Sequence, residues 1–146
     1  MSRRVYLDTS AVAKLFLKEP ASPQFGSFFR RQIRPPAVST LTTLELRCLL
    51  SRRRRAGDID LAAEQSAVAE FENLIRFELL LAYPLDDSHA RTAIDLLATL
   101  PEHPLRTLDA LHLAIARSLQ ADTIATADRV LGEAARSLHF AVEVFA

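Results

Sequence analysis

DTIATADRVLGEAARSLHFAVEVF, Asp122–Phe145, reads as strand, helix, strand. DTIAT and FAVEVF are short β-rich runs, and ADRVLGEAARSLH between them has a helical pattern. Strands joined through a helix imply parallel pairing, because parallel neighbours need a crossover connection. The same alternation runs through the rest of the chain. RVYLD (Arg4–Asp8) predicts a first strand and Thr9–Leu17 a helix closed by Pro20. QFGSFFRRQI predicts a second helix, Pro35 and Pro36 break the chain, and AVST begins a second strand. Helices follow over Leu41–Arg55, with Gly57 at the C-terminal cap position, and over Leu61–Arg76. FELLLAYPL predicts a third strand, DDSHARTAIDLLATL a helix ending at Pro101, and Leu108–Ala116 another helix. This order predicts an α/β architecture with a mainly parallel sheet, right-handed crossovers and helices on both faces. There is no internal repeat, low-complexity segment or linker in this reading, so one domain accounts for residues 1–146.

The composition narrows the function classes. The chain is 49% hydrophobic and 25% charged, as in a soluble globular domain. No apolar run is long enough to span a bilayer. The opening MSRRVYLDTS carries only VYL as an apolar run, too short for a signal peptide. Cys48 is the sole cysteine, which excludes an intramolecular disulfide and points to a reducing, cytoplasmic setting. Lys+Arg and Asp+Glu both number 18, so net charge does not by itself imply nucleic acid. The basic charge is nearly all arginine, with lysine only at Lys14 and Lys18. Arginine suits phosphate recognition, and base bias in a genome also produces it.

Four acids stand where the fold would gather them. Asp8 follows VYL at the end of strand one, where it can cap the next helix. Glu45 in STLTTLELRCLL falls on one helical face with Leu41, Leu44 and Cys48, so it is expected to point inward. The alternative is a capping box, Thr42 with Glu45. Asp109 in RTLDALHLAIA opens a helix that is apolar nearly all round and is therefore expected to be buried. Thr107 can cap that helix. Asp109 in its first turn would then favour the dipole by about 0.3–1 kcal/mol, less than the several kcal/mol that burying an unpaired charge costs. Asp128 follows strand four, with Thr126 as the expected cap. Each acid alone has a structural role. In an open α/β sheet, however, groups past the C-terminal strand ends converge where the strand order reverses. Clustered carboxylates repel unless a cation intervenes, and hard oxygen donors suit Mg²⁺ or Mn²⁺. Asp86 and Asp87 serve as a comparison: they follow strand three and, with that strand at an edge, are expected to be caps or surface residues.

YLDTSAVAKLFLKE, STLTTLELRCLL, RTLDALHLAIA and TADRVLGEAARSL together resemble the PIN-domain ribonucleases, and above all the VapC toxins of type II toxin–antitoxin pairs. The resemblance covers nearly the whole chain, with the four blocks in family order. It implies a PIN-like three-layer α/β/α domain with a five-stranded parallel sheet of order 3-2-1-4-5. It implies that Asp8, Glu45, Asp109 and Asp128 form a catalytic Mg²⁺ or Mn²⁺ site, with Thr126 as a supporting hydroxyl and Thr9 or Ser10 in a similar role. It also implies hydrolysis of RNA phosphodiester bonds, a homodimer and a cognate VapB-type antitoxin.

RRRR, Arg52–Arg55, reads either as a solvated helix end favoured by the dipole or as a phosphate contact for RNA, and Arg106 as a further substrate contact. His112 reads as a hydrogen-bonded core histidine, with a ligand role as the alternative. His89, His103 and His139 lack zinc-like spacing with Cys48. Phe25, Phe28 and Phe29 resemble a packing face. Two other functions would use the same acids: a metal-dependent phosphoesterase acting on a small molecule, and a non-catalytic PIN-like binding module.

Overall fold

A computed structural model describes residues 3–146. Its centre is a five-stranded parallel sheet built from β1 (Val5–Leu7), β2 (Ala37–Ser39), β3 (Leu81–Tyr83), β4 (Thr123–Thr126) and β5 (Ala141–Val144), in the order β3-β2-β1-β4-β5. The helices are α1 (Thr9–Val12, continued by a 3-10 turn, Ala13–Leu15), α2 (Ser22–Arg30), α3 (Thr40–Arg55), α4 (Leu61–Arg76), α5 (Asp87–Thr99), α6 (Thr107–Ser118) and α7 (Arg129–Ser137).

Side chains alternate across a strand, and the core divides accordingly. Tyr6 and Ile124 enter a layer with α5, α6 and α7, around Leu96, Leu113, Ile115 and Leu131. Val5, Leu7 and Ala125 enter the opposite layer with Phe25, Leu46, Leu50 and Phe71 from α2, α3 and α4. The chain is thus a three-layer α/β/α fold with the expected strand order. Phe25, Phe28 and Phe29 are packing residues; Phe25 meets Phe145 edge-on at 5.1 Å between ring centroids. Among the described residues no helix is long and apolar enough to cross a membrane.

Several boundaries move for local reasons. The first helix is shorter than Thr9–Leu17 because it tightens to 3-10 geometry at Ala13. The second starts earlier, at Ser22, with proline in its first turn, where the missing N–H costs nothing. The predicted third strand shrinks to Leu81–Tyr83: α4 extends to Arg76, and Glu78 turns the chain with φ 58°. Gly57 caps α3 as expected, with φ 83°, a left-handed conformation that glycine adopts without strain.

β1 and β4 lie side by side, with Leu7 opposite Ala125. Asp8 and Asp128 therefore leave the same end of adjacent central strands. β3 is an edge strand. Asp86 caps α5 by accepting from Ser88 N at 2.9 Å, and Asp87 is exposed in the first turn, as expected of the comparison pair.

Candidate metal centre

The four acids occupy two neighbouring clusters joined at the start of α1. Asp8 is only 4% exposed. It is the N-cap of α1 and accepts from Ala11 N at 3.0 Å, from Ser10 Oγ at 2.8 and 2.9 Å, and from Thr126 Oγ1 at 2.6 Å. These donors are all neutral. Burial pushes the Asp8 carboxyl above the usual carboxylate range, against the opposing pull of His112 and these hydrogen bonds. Thr126 Oγ1 in turn accepts from Asp128 N at 2.9 Å, and Ser10 Oγ from Ala127 N at 2.8 Å. Two hydroxyls thus tie Asp8 to the segment that carries Asp128.

The cap of α7 is Asp128 itself, accepting from Val130 N at 2.9 Å, and not Thr126. Thr126 is the last residue of β4, so its hydroxyl serves the carboxylate instead. The cap of α6 is Arg106 and not Thr107: Asp109 reaches back to accept from Arg106 N at 3.1 Å, the reciprocal half of a capping box. Asp109 is half-buried while Ala110–Ala116 beyond it are buried save for Leu111, which answers why a carboxylate can open so apolar a helix.

The second cluster holds Glu45. Its expected face is corrected. Leu44 is 68% exposed and Cys48 is exposed, whereas Leu46 and Leu50 form the buried stripe. The helix also begins earlier than expected, at Thr40 after Ser39, so Thr42 rather than Glu45 completes the capping box. Glu45 is consequently turned to the margin of the core, half-buried. It accepts from Thr9 Oγ1 at 2.8 Å and from His112 Nε2 at 2.5 Å. Burial pushes its carboxyl up, but the hydrogen bond and charge of His112, with Thr9, outweigh it and hold Glu45 below the usual range.

Glu45 and Asp109 share a cavity of about 370 Å³ with Arg52, Arg106 and Leu108. Within the arginine run, Arg53 pairs with Glu19 at 3.0 Å and Arg54 with Glu64 at 3.5 Å, and Arg55 bonds Ser51 at 2.8 Å. Arg52 is the member of the run that lines the cavity. Arg106 lies 3.7 Å from Asp109 with its side chain 84% exposed.

The donor set suits a hard divalent ion: carboxylates and hydroxyls are the oxygen ligands Mg²⁺ and Mn²⁺ take. The closure of the site is looser than the sequence implied. Among the described residues, no three His, Cys, Asp or Glu side chains form a ready-made metal cage. Sequence reasoning also missed the Tyr6–His112–Glu45 chain. Its one signal was His112 lying three residues after Asp109, on a neighbouring helical position.

The fold and the strand-end acids together define a class. Residues 5–137 match the family described as PIN domain, and the chain belongs to that family. Within it, the likeness is to VapC proteins: the chain is 33% identical over 141 residues to Ribonuclease VapC46 of Mycobacterium tuberculosis (strain ATCC 25618 / H37Rv), covering 94% of this chain and 95% of the relative. Among solved structures it is similar to Mycobacterium tuberculosis VapC20, described as a sarcin-ricin loop cleaving toxin, with TM-score 0.70 and 19% identity over 89% of this chain and 94% of that one. It is also similar to VapBC2 from Rickettsia felis bound to a DNA fragment from their promoter, with TM-score 0.65 and 16% identity over 97% of this chain and 98% of that one. At these identities the solved structures speak to the fold alone.

Proposed function

We propose that residues 1–146 form a single PIN domain acting as an Mg²⁺- or Mn²⁺-dependent ribonuclease, the toxin of a VapBC-type pair. Asp8, Glu45, Asp109 and Asp128 would hold the cation, and Thr9, Ser10 and Thr126 would orient them. The observation that carries this reading is Asp8. It is a buried carboxylate at the C-terminal end of β1, beside β4, surrounded by neutral donors and tied through the Thr126 hydroxyl to the backbone N–H of Asp128, a second acid. A carboxylate so placed costs stability when ionised, unless a cation shares the site. When bound, the divalent ion supplies Lewis-acid stabilisation of the phosphoryl oxygens and activates water.

The protein's own part is positional. Ser10 and Thr126 hold Asp8 and Asp128 in register. Arg52 and Arg106 on the cavity rim attract the RNA backbone, and Arg53–Arg55 contribute general positive charge near it. Kinship with Ribonuclease VapC46 supports RNA as substrate, and likeness to a VapBC pair supports a VapB-type antitoxin; a homodimer is part of the same proposal. The lone cysteine, Cys48, supports a cytoplasmic protein.

The test is incubation with cellular RNA with Mg²⁺, with Mn²⁺ and with chelator, beside nucleoside monophosphates. Metal-dependent cleavage of RNA that Asp8→Asn abolishes is expected. Hydrolysis of the monophosphates alone would favour a small-molecule phosphoesterase, for which a cavity of about 370 Å³ is large enough. Metal-induced stabilisation without cleavage of either would favour a binding module.

A further inference from the structure

Glu45 is held differently from the other acids. Asp8, Asp109 and Asp128 each accept from backbone N–H groups at a helix start. Glu45 accepts from two side chains, Thr9 and His112, and both bind the same oxygen, Oε1. Among the described residues Oε2 has no donor, and Glu45 lines the cavity.

His112 is itself fixed from behind. Its Nδ1 lies 2.7 Å from Tyr6 Oη, which lies 3.1 Å from Ser39 Oγ. Tyr6 and Ser39 are fully buried and His112 is 4% exposed, so these groups have no water to exchange with. Turning the ring over would put carbons where both nitrogens now bond, breaking both contacts at once. A carboxylate can only accept, so the bond to Glu45 requires a proton on Nε2 whatever the state of Nδ1.

We propose that His112, locked by Tyr6 and Ser39, is a positioning residue that pins Glu45 Oε1 through Nε2–H and so presents Oε2 to the cavity. The role rests on the cation site of the reading above, which gives Glu45 a cation to face, and not on RNA as the substrate. Outer partners of this kind set ligand orientation, and losing one costs about 10–100-fold in metal affinity or activity.

The test has a readout that needs no substrate. Nitrogen NMR of the imidazoles in the metal-free wild-type chain is expected to show His112 protonated at Nε2; an unprotonated Nε2 overturns the proposal. Calorimetric Mn²⁺ titration then compares folded variants. His112→Leu is expected to weaken Mn²⁺ binding by about 10–100-fold. His112→Gln, whose amide reaches the Nε2 position and can still donate, is expected to recover most of it. Tyr6→Phe, which leaves Nδ1 without its partner, is expected to fall between wild type and His112→Leu. Mn²⁺ binding by His112→Leu equal to wild type, or His112→Gln no better than His112→Leu, overturns the role. If the wild type binds Mn²⁺ with this pattern but cleaves no RNA, the ribonuclease reading fails and the positioning of Glu45 stands.

Discussion

The two halves of the site are built on opposite plans. On the side of β1 and β4, Asp8 and Asp128 are capped by the backbones of α1 and α7 and cross-linked by Ser10 and Thr126. Their geometry is set before any ligand arrives. On the side of α3 and α6, Glu45 and Asp109 border a cavity and face Arg52 and Arg106. Helix N-termini favour negative charge by about 0.3–1 kcal/mol, which offsets only part of the cost of burying Asp8 and leaves its carboxyl raised. The second half mixes acid with base, as a surface does that must meet both a cation and a polyanion. One half is an anchor and the other an entrance.

The most severe way to break the anchor is Asp8→Asn. It removes a direct ligand candidate, so cleavage is expected to fall by more than the roughly 100-fold typical of outer-sphere losses. Stability moves the other way with pH. Burial raises the Asp8 carboxyl, so its contribution to stability is complete below the ordinary Asp range and is lost as pH rises through the raised value. In chelator, wild type is therefore expected to weaken relative to Asp8→Asn as pH climbs through and above the carboxylate range. Added Mg²⁺ is expected to restore wild type but not the variant at neutral pH. Denaturant unfolding across pH checks both.

Thr126→Val tests the cross-link alone. It keeps the shape but removes the donor to Asp8 at 2.6 Å and the acceptor for Asp128 N. Loss of a hydrogen bond to a charged group is expected to cost roughly 1.5–3 kcal/mol in unfolding free energy. Cleavage is expected to drop about 10–100-fold.

The anchor was far more legible in sequence than the entrance. Asp8 directly follows its apolar strand and Asp128 lies two residues past its own, and the strand–helix–strand pattern places such residues at one edge whatever the loop detail. Glu45 was misplaced because Leu44 and Cys48 look like a buried stripe yet face solvent; an exposed apolar residue leaves no mark in a helical pattern. The run Phe77–Leu85 read as one long strand for a similar reason. Phe77 and Leu79 are apolar and exposed, in a turn between α4 and β3. The Tyr6–His112 contact joins a strand to a distant helix, and no local rule pairs residues so far apart. Nor does RRRR reveal which arginine is left over once Glu19, Glu64 and Ser51 have taken the other three.

That leftover arginine offers a milder test of the entrance. Arg52→Gln is expected to raise KM several-fold with kcat little changed, the mark of uniform binding. The slope of log affinity against log salt is expected to shrink by about 1. Arg54→Gln, which breaks a pairing with Glu64 away from the cavity, is expected to change both far less. Equal effects from the two would mean that the run acts as bulk charge and that Arg52 has no special place.

The smallest expected effect separates capping from chemistry. Asp86 and Asp128 are the same device in local structure: each follows a strand of the sheet, caps the next helix and accepts from the backbone N–H two residues on. Asparagine caps a helix about as well as aspartate. Asp86→Asn at the sheet edge is therefore expected to leave cleavage unaltered and melting nearly so. Asp128→Asn is expected to melt almost as the wild type does and yet lose cleavage, because it keeps the cap and the backbone N–H bonded to Thr126 but removes a carboxylate proposed to hold the cation beside buried Asp8. Were Asp128→Asn to cleave RNA as the wild type does, Asp128 would be a cap and nothing more, and the anchor would reduce to Asp8 alone.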